Sequence, residues 1–507
     1  MNTFSGLLNS LVHQKDISVY PMSQYCGIER TLLYKYLNGK DHPADQAVVE
    51  RMADFMRLSP AECEELITAW QIEKVGWKEW SNRRNVEEFL LNFPDVSKLS
   101  EVSEGNYPEK TADGTGDIPA EMHRTDMSAD GAAALSGTAA RYPDCRALPT
   151  QTALNHVVNQ VILEESQKEK GHLCLMLQPD YDYLLHLLSG LGEYGQKLAV
   201  EHILCLGNSR QKDRDFCDHN LVYLQKILPL YVSALDYNVY YYYDAVESHF
   251  SNLNGFSCML LTSDCAITCT SDFQTGILYG KPEIVQMLRE HFNTCREKCS
   301  PFFSPVHSIQ DTCKMSIKFF SGSDEYYSLQ PEPCLIPFLT PDLVNRLVIS
   351  ELPEREKLIP LLNEFLKQRQ FTLSDGNYHI FHTRNGIRRF METGRVYEIP
   401  EELYLPFPPE DRKLLLYRLS QFIPERYRIL RSPLENLPQN FHLWVSASNG
   451  YLMFTNRKKE SIYLMFTEPG LLTAFMDYLQ NIDEKYLYTA AESRSFIEKF
   501  LEAEATP

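Results

Sequence analysis

The chain contains 507 residues, carries a formal net charge of −19 and is 44% hydrophobic. This length exceeds what a single compact core usually holds, so we expect roughly two to four domains. The acidic balance excludes a broad basic surface that would bind nucleic acid by phosphate neutralisation alone. Any affinity for DNA must therefore come from locally placed cations and from dimerisation.

Hydropathy and cysteine usage indicate the compartment. No run of roughly eighteen uncharged apolar residues occurs, and Met1 is followed by polar Asn2 and Thr3 instead of a basic and then apolar leader. We therefore expect a soluble cytoplasmic protein. The 13 cysteines include no Cys-x-x-Cys pair, which predicts reduced thiols. Cys295 and Cys299, four positions apart on a predicted helix, leave a shared metal or redox role open.

The N-terminal region is predicted to form five short helices. Apolar residues recur at helical spacing from Leu7 to Val12, which predicts the first helix. Ser18 is a suitable N-cap for a second helix that ends near Gly27. A glycine there suits the tight, left-handed turn between two crossing helices.

The third helix has two distinct faces. Its inward face is apolar, and its opposite face carries Glu29, Arg30, Thr31, Tyr34 and Lys35. Asn38-Gly39 then stops the helix. A fourth helix follows around Val48–Met56, and the capping box Ser59-Pro60-Ala61-Glu62 opens the fifth.

This arrangement resembles the λ-repressor-like helix-turn-helix family, often called XRE. The stretch that carries the resemblance is SVYPMSQYCGIERTLLYKYLNGK, residues 18–40, with its small Ser23, its Gly27 and its closing Asn-Gly-Lys. The resemblance implies a sequence-specific transcriptional regulator that binds double-stranded DNA as a homodimer. The DNA-binding residues it implies are Arg30, Thr31, Tyr34, Lys35, Asn38 and Lys40.

Three positions depart from the family. Glu29 stands where a small hydroxyl residue usually caps the recognition helix, Tyr34 stands where serine is often found, and Leu37 replaces a common glutamate. A carboxylate at position 29 repels phosphate unless it caps the helix or accepts from a cytosine amino group. A helical bundle that binds another protein is therefore an alternative.

The predicted architecture is multi-domain. An all-α helix-turn-helix domain at 1–94 precedes a linker at 95–150, which is rich in small and polar residues and too poor in apolar ones to fold alone. An α/β region follows, with one half at 151–310 and another at 311–507.

The α/β region opens with a predicted β-α-β unit. Strands are expected at Leu173–Leu177 and Ile203–Leu206, with a helix at Tyr183–Leu191 between them. A further strand is predicted at Tyr237–Val246, where four consecutive tyrosines either line a ligand pocket or pack on the sheet.

Two stretches of this region are alike and predict a duplicated domain. Each has a strand, a polar loop, a second strand and a helix in the same order. The strands are Met259–Thr262 and Gly276–Tyr279 in the first stretch, and Leu452–Thr455 and Ile462–Met465 in the second.

Such a layout resembles the phospholipase D superfamily, whose active halves carry His-x-Lys and, after four further residues, Asp. Only His13 begins a His-x-Lys triplet here, and Tyr20 stands in place of the aspartate. The resemblance thus implies a degenerate fold that senses or dimerises. We expect no enzymatic activity, no catalytic residue, no metal and no cofactor.

Two polar groups remain as candidates. One is a set that could form an acid–base or metal site, namely Asp180, Asp182, His186, Asp244, Glu247 and His249. The other is a basic cluster near His379 and His382, which either binds an anionic effector or is solvated, namely Arg384, Arg388, Arg389 and Arg395.

The leading hypothesis is a DNA-binding transcriptional regulator whose α/β region senses a small-molecule effector or holds the dimer. Two alternatives remain: a protein-interaction adaptor with a degenerate helix-turn-helix, and a DNA-targeted phosphodiesterase-like enzyme.

Overall fold

A computed structural model describes residues 3–94, 142–207, 219–244, 258–305, 325–438 and 441–503, together with residues 311, 314 and 317. Within these ranges it does not describe residues 192–194, 196, 234, 376–377, 397–398, 400 and 423–426. The predicted linker at 95–150 lies outside these residues from 95 to 141, but its last residues, 142–150, are described and contain the strand Arg146–Leu148, so the α/β region begins earlier than predicted. The described residues form 16 α-helices and two mixed β-sheets. No helix among them is long and apolar enough to cross a membrane.

The chain divides into two compact units. The first is Met1–Glu88, and the second contains Phe89–Arg210 and His219–Pro507. The first unit is helical, and α6 continues beyond it. The helices are α1 (Phe4–Gln14), α2 (Val19–Cys26), α3 (Arg30–Leu37), α4 (Gln46–Met56), α5 (Pro60–Val75) and α6 (Trp77–Leu91).

Local chemistry explains where these helices begin. The Thr3 hydroxyl accepts a hydrogen bond from the Gly6 N–H at 3.1 Å and caps α1. The predicted capping box is confirmed: the Ser59 N–H donates to the Glu62 carboxylate at 2.7 Å, and the Glu62 N–H donates to the Ser59 hydroxyl at 3.3 Å. The core of the unit is apolar and fully buried at Phe4, Leu8, Met22, Leu33, Val49, Met52 and Leu66.

The predicted glycine turn between α2 and α3 is also present. Gly27 is left-handed, with φ 67° and ψ 32°. Its N–H donates to the Gln24 carbonyl at 3.2 Å, and the Ile28 N–H donates to the Ser23 carbonyl at 3.1 Å. These bonds satisfy the last carbonyls of α2, and a glycine adopts the required φ without steric cost.

The second unit contains an eight-stranded sheet A, in the order β1-β7-β6-β5-β2-β3-β4-β8. Strands β2, β3 and β4 are parallel to one another, and the remaining pairs are antiparallel. The strands are β1 (Arg146–Leu148), β2 (Gly171–Met176), β3 (Leu198–Leu206), β4 (Asp236–Tyr243), β5 (Met259–Leu261), β6 (Ala266–Cys269), β7 (Gly276–Tyr279) and β8 (Ser300–Pro301).

Four helices accompany this sheet. They are α7 (Gln151–Ser166), α8 (Asp182–Ser189), α9 (His219–Val232) and α10 (Pro282–Arg296). Helix α8 connects β2 to its parallel neighbour β3, so the predicted β-α-β unit is confirmed.

Sheet B has seven strands in the order β12-β11-β10-β13-β14-β15-β9. They are β9 (Ser304–Pro305), β10 (Tyr326–Leu329), β11 (Tyr378–His382), β12 (Tyr427–Ile429), β13 (His442–Ser446), β14 (Gly450–Thr455) and β15 (Ser461–Phe466). Its helices are α11 (Pro341–Leu347), α12 (Arg355–Asp375), α13 (Arg384–Thr393), α14 (Pro409–Phe422), α15 (Pro469–Gln480) and α16 (Ala490–Ala503).

The two sheets share one strand order. Strands β10, β11 and β12 are parallel, as β2, β3 and β4 are, and β13, β14 and β15 continue antiparallel, as β5, β6 and β7 do. The counterpart of β14 is thus β6, whereas the sequence comparison matched it with Met259–Thr262, which contains β5. Only this first strand of the match was one strand off, since the second matched strands, β7 and β15, are counterparts. The shift arose because β6 has only four residues and lies in a stretch that reads as a polar loop.

The connection at residues 300–305 belongs to both sheets. Its first part, β8, pairs with β4, and its second part, β9, pairs with β15. Phe302 packs edge-on against Tyr241, with ring centroids 5.7 Å apart, and the Tyr243 hydroxyl donates to Glu468 at 2.8 Å. The four-tyrosine stretch therefore joins the two halves of the second unit.

We expect Gly386→Ala to lower the free energy of unfolding by about 1–3 kcal/mol, because a β-carbon there would collide with the Pro331 carbonyl. Urea unfolding of the full chain, followed by circular dichroism, measures this effect. Asn385→Ala, at the exposed neighbouring position of α13, is the control. Equal midpoints for the two variants would contradict the close packing of α13 on Pro331.

Candidate nucleic-acid interface

Helix α3 has one buried face and one exposed face. Leu33, Tyr36 and Leu37 are buried in the core of the first unit. The six residues predicted to contact DNA are all exposed, on the opposite face of α3 and in the turn that follows it: Arg30, Thr31, Tyr34, Lys35, Asn38 and Lys40. The structure thus brings the predicted set together on one surface of the unit.

Arg30 and Tyr34 form a pair one helical turn apart. The guanidinium of Arg30 donates to the Tyr34 hydroxyl at 3.3 Å, and its carbon lies 5.5 Å from the centre of the Tyr34 ring. This pairing holds the Arg30 side chain along the exposed face of α3. Its remaining N–H groups can donate to an anionic or base acceptor.

Glu29 precedes this pair as the N-cap residue of α3. Its side chain makes no capping hydrogen bond and accepts instead from the Thr31 hydroxyl at 3.2 Å. The carboxylate is exposed and lies beside the residues predicted to meet DNA. Glu29 therefore adds a negative charge to this surface and also engages the Thr31 donor.

Asn38 and Lys40 shape the C-terminal end of α3. The Asn38 side-chain amide donates to the Tyr34 carbonyl at 2.8 Å, and the Lys40 N–H donates to the Lys35 carbonyl at 2.9 Å. Asn38 therefore caps the helix, while the ammonium groups of Lys35 and Lys40 extend from an ordered turn.

Two exposed tyrosines were missed in the sequence. Tyr20 and Tyr25 on α2 are 59% and 55% exposed, and Tyr34 is 41% exposed. Large aromatic residues in a helical pattern suggest core positions, but here the buried face of α2 comprises Met22, Ser23 and Cys26. The position of Tyr20 and Tyr25 outside this buried face was the signal in the sequence that their side chains are exposed.

The candidate acid–base residues of the second unit lie in separate interactions. Lys226 donates to Asp180 at 2.8 Å and to Asp182 at 3.4 Å. Glu247 and His249 lie outside the described residues. Asp180 and Asp182 thus form an ion-pair group around Lys226, whereas His186 is exposed on α8 and Asp244 is exposed directly after β4.

The four arginines of the predicted basic cluster each contact protein groups. Arg384 makes a bidentate pair with Glu435 at 2.9 Å, and Arg395 donates to the carbonyls of Glu401 and Tyr404. Arg388 donates to Asn385 at 2.7 Å, and Arg389 lies 4.0 Å from Glu332. These contacts disperse the cluster, so the structure does not combine its arginines into one anion site.

A group that sequence inspection missed lies on sheet A. His172 is between two partners: its Nδ1 is 3.6 Å from the Cys174 sulfur, and its Nε2 is 3.2 Å from Glu201. Arg296 lies 3.4 Å from the same glutamate. Three potential metal ligands meet here, but one ion binds one ring nitrogen, and the two nitrogens face different partners. The geometry fits a hydrogen-bonded chain better than a metal site.

The described cysteines are free thiols, as predicted. Cys299 donates to the Cys295 carbonyl at 3.2 Å, and the Cys295 sulfur lies 3.8 Å from His291. This pair therefore has local partners on and beside α10.

No histidine of the second unit begins the His-x-Lys triplet that phospholipase D chemistry uses. At the start of β13, His442 is followed two residues later by Trp444. Both His442 and Trp444 are buried. A tryptophan supplies no charge for a phosphoryl oxygen, so the triplet lacks the cation that this catalysis requires.

A short motif that occurs in both halves of the second unit was also missed in the sequence. Leu-Gln-Pro-Asp occurs at residues 177–180 and Leu-Gln-Pro-Glu at 329–332. The first motif directly follows β2, and the second begins at the last residue of β10; each of these two central strands begins a parallel set. In each half the acid faces a cation, Lys226 on α9 or Arg389 on α13. Direct comparison of the two halves for short identical motifs would have found it.

No protein-family model matches this chain, and no curated protein matches it. Similar solved structures include TrmBL2, described as an archaeal chromatin protein with a novel mode of DNA binding, at 14% identity over 48% of this chain and 72% of that chain, with a TM-score of 0.21. Phosphatidylserine synthase from Haemophilus influenzae Rd KW20 is 11% identical over 71% and 94%, with a TM-score of 0.23. Polyphosphate kinase from Porphyromonas gingivalis is 12% identical over 71% and 55%, with a TM-score of 0.19. At these TM-scores the likeness defines neither family nor function.

The hydrogen bonds of His172 to Cys174 and Glu201 raise the pKa of its imidazole to about 10. A raised pKa in the folded state means that protonated His172 stabilises the fold fully below its ordinary pKa of about 6.5, and that this contribution is lost as the pH rises towards 10. We expect the difference in unfolding free energy between the native chain and His172→Gln to shrink over this range.

Urea midpoints at several pH values, in reducing buffer, measure that difference. His186→Gln, the same substitution at an exposed position of α8, is the control. A difference for His172→Gln that stays constant with pH would contradict the interaction.

Proposed function

We propose that the protein is a sequence-specific DNA-binding transcriptional regulator of the helix-turn-helix type. The observation that carries the proposal is the exposed face of α3, where Arg30, Tyr34 and Lys35 lie next to one another behind a left-handed turn at Gly27. A short helix that presents a cation and an aromatic side chain in this way fits a major groove, where arginine and lysine bind guanine and phosphate.

The charge distribution supports a local contact. Residues 1–94 contain 10 Lys and Arg and 13 Asp and Glu, so no broad basic field exists to hold DNA. Binding then depends on a few well-placed cations and on two copies acting together, because one recognition helix reads only a few base pairs. We propose a homodimer on a two-fold symmetric site.

We further propose that the second unit arose by duplication and that it senses a small-molecule effector without catalysing a reaction. The shared strand order of sheets A and B supports the duplication. The lack of a His-x-Lys triplet at any histidine of the second unit supports a role without phosphodiesterase chemistry.

We expect Arg30→Ala combined with Lys35→Ala to weaken binding to random-sequence duplex DNA at low salt by about tenfold or more. Each lost phosphate contact should reduce the slope of log affinity against log salt by about 0.9. Fluorescence anisotropy across a salt series with the full chain measures both quantities.

The matched control is Arg84→Ala, which removes one cation from α6 and leaves α2 and α3 unchanged. It should behave like the native chain. Equal losses for Arg84→Ala and for Arg30→Ala alone would indicate that only total charge matters and would contradict a contact surface on α3.

We expect Glu29→Gln to tighten DNA binding severalfold at low salt, because it removes an exposed negative charge beside Arg30 and Thr31. The gain should diminish as salt increases. Glu64→Gln, an identical charge change at an exposed position of α5, is the control. The same gain in both variants, or a loss in Glu29→Gln, would contradict the assigned position of Glu29 at the interface.

A further inference from the structure

The second half of the second unit encloses an apolar cavity of about 100 Å³. Its walls come from α11, α12 and sheet B, and they include Val344, Leu362, Phe365 and Tyr463. An apolar cavity of about 150 Å³ in another protein takes up benzene. The cavity here is smaller, so a space with this apolar lining suits at most a single ring or a short branched hydrocarbon.

A narrow recess of about 10 Å³ adjoins the cavity and shares Ile336, Leu339 and Phe407 with it. This volume is close to that of one water-sized group. The recess is lined by Glu332 and His442, which are 2% and 1% exposed. An apolar space thus ends at two buried polar side chains.

These two side chains have unused hydrogen-bonding capacity. Within the described part of the chain, the Oε2 atom of Glu332 and both ring nitrogens of His442 have no hydrogen-bond partner. The nearest approach between them, from Nε2 to Oε2, is 3.6 Å, which is too long for a hydrogen bond. Buried polar atoms are normally paired, so a bound polar group would stabilise this arrangement.

The surroundings hold Glu332 in place. Its own carbonyl accepts from the Gln330 amide at 2.8 Å. The carbonyl of the preceding Pro331 accepts from the Thr383 N–H at 2.9 Å and from the Thr383 hydroxyl at 3.0 Å. The backbone around the recess is therefore fixed before any ligand binds.

The charges around the recess determine which kind of polar ligand group can bind there. Arg389 lies 4.0 Å from the other carboxylate oxygen of Glu332 and disfavours a cation, while the carboxylate itself disfavours an anion. A neutral hydroxyl can donate to Glu332 and accept from His442 at once.

We propose that the cavity and the recess together bind a small uncharged hydrocarbon with one hydroxyl group, such as a phenol or a short branched alcohol. The hydrocarbon fills the cavity, and the hydroxyl enters the recess between Glu332 and His442. The role of this ligand as an effector of DNA binding rests on the proposed function. Binding itself does not, so it is tested without DNA.

Titration calorimetry on the full chain compares phenol with toluene, which has the same shape but no hydroxyl. We expect phenol to bind about tenfold more tightly, because toluene leaves Glu332 and His442 unpaired. Absence of phenol binding would overturn the proposal, and equal binding of the two compounds would overturn the role of the recess.

Two variants locate the site. Val344→Phe fills the cavity and should abolish phenol binding, whereas unchanged binding in a folded variant would contradict the location. Glu332→Met replaces the buried carboxylate with an apolar group of similar size and should remove the preference for phenol over toluene. Glu435→Met, the same change at the partner of Arg384 outside the cavity, should keep that preference.

If Val344→Phe does not fold, the Glu332→Met variant alone tests whether phenol binds at this site. A preference for phenol that survives in Glu332→Met would contradict the assignment. Loss of DNA binding in the Arg30 and Lys35 variants has no bearing on this result.

Discussion

The burial of one face of α3 is the constraint on which the account of this protein depends. Leu33, Tyr36 and Leu37 must face the apolar core, so Arg30, Thr31, Tyr34 and Lys35 necessarily face outward. The left-handed Gly27 ends α2 and allows α3 to start three residues later, at Arg30, in a new direction. The proposed interface is thus a consequence of core packing, and Glu29 moderates its charge.

The second unit follows a different principle. Two sheets with the same strand order are joined by residues 300–305, which supply an edge strand to each. Each half places an acid after a central strand, where it faces a cation from a helix. In the first half Asp180 is paired with Lys226. In the second half, the Oε2 atom of Glu332 has no hydrogen-bond partner among the described residues, and Glu332 lines a recess beside an apolar cavity. The halves have the same framework, and the second half combines it with a ligand-sized space.

Features set by nearby residues were predictable from the sequence. The apolar spacing of α1, the capping box at Ser59 and the glycine turn at Gly27 each involve residues within one or two helical turns. Long-range features were not. Nothing local indicates that Glu332 and His442 meet, because β10 and β13 become neighbours only when the sheet forms. The first strand of the repeat was matched one strand off because four-residue β6 has no clear alternation, and the basic cluster was dispersed by partners such as Glu435 that lie far along the chain.

The central claim is that the exposed face of α3 reads DNA sequence. Selection of bound duplexes from a random pool, with the full chain at low salt, tests it most directly. We expect an enriched motif with two symmetric half-sites, and we expect the Arg30→Ala and Lys35→Ala double variant to lose that enrichment. Failure of the native chain to enrich any motif, or an identical motif from the double variant, would contradict the account.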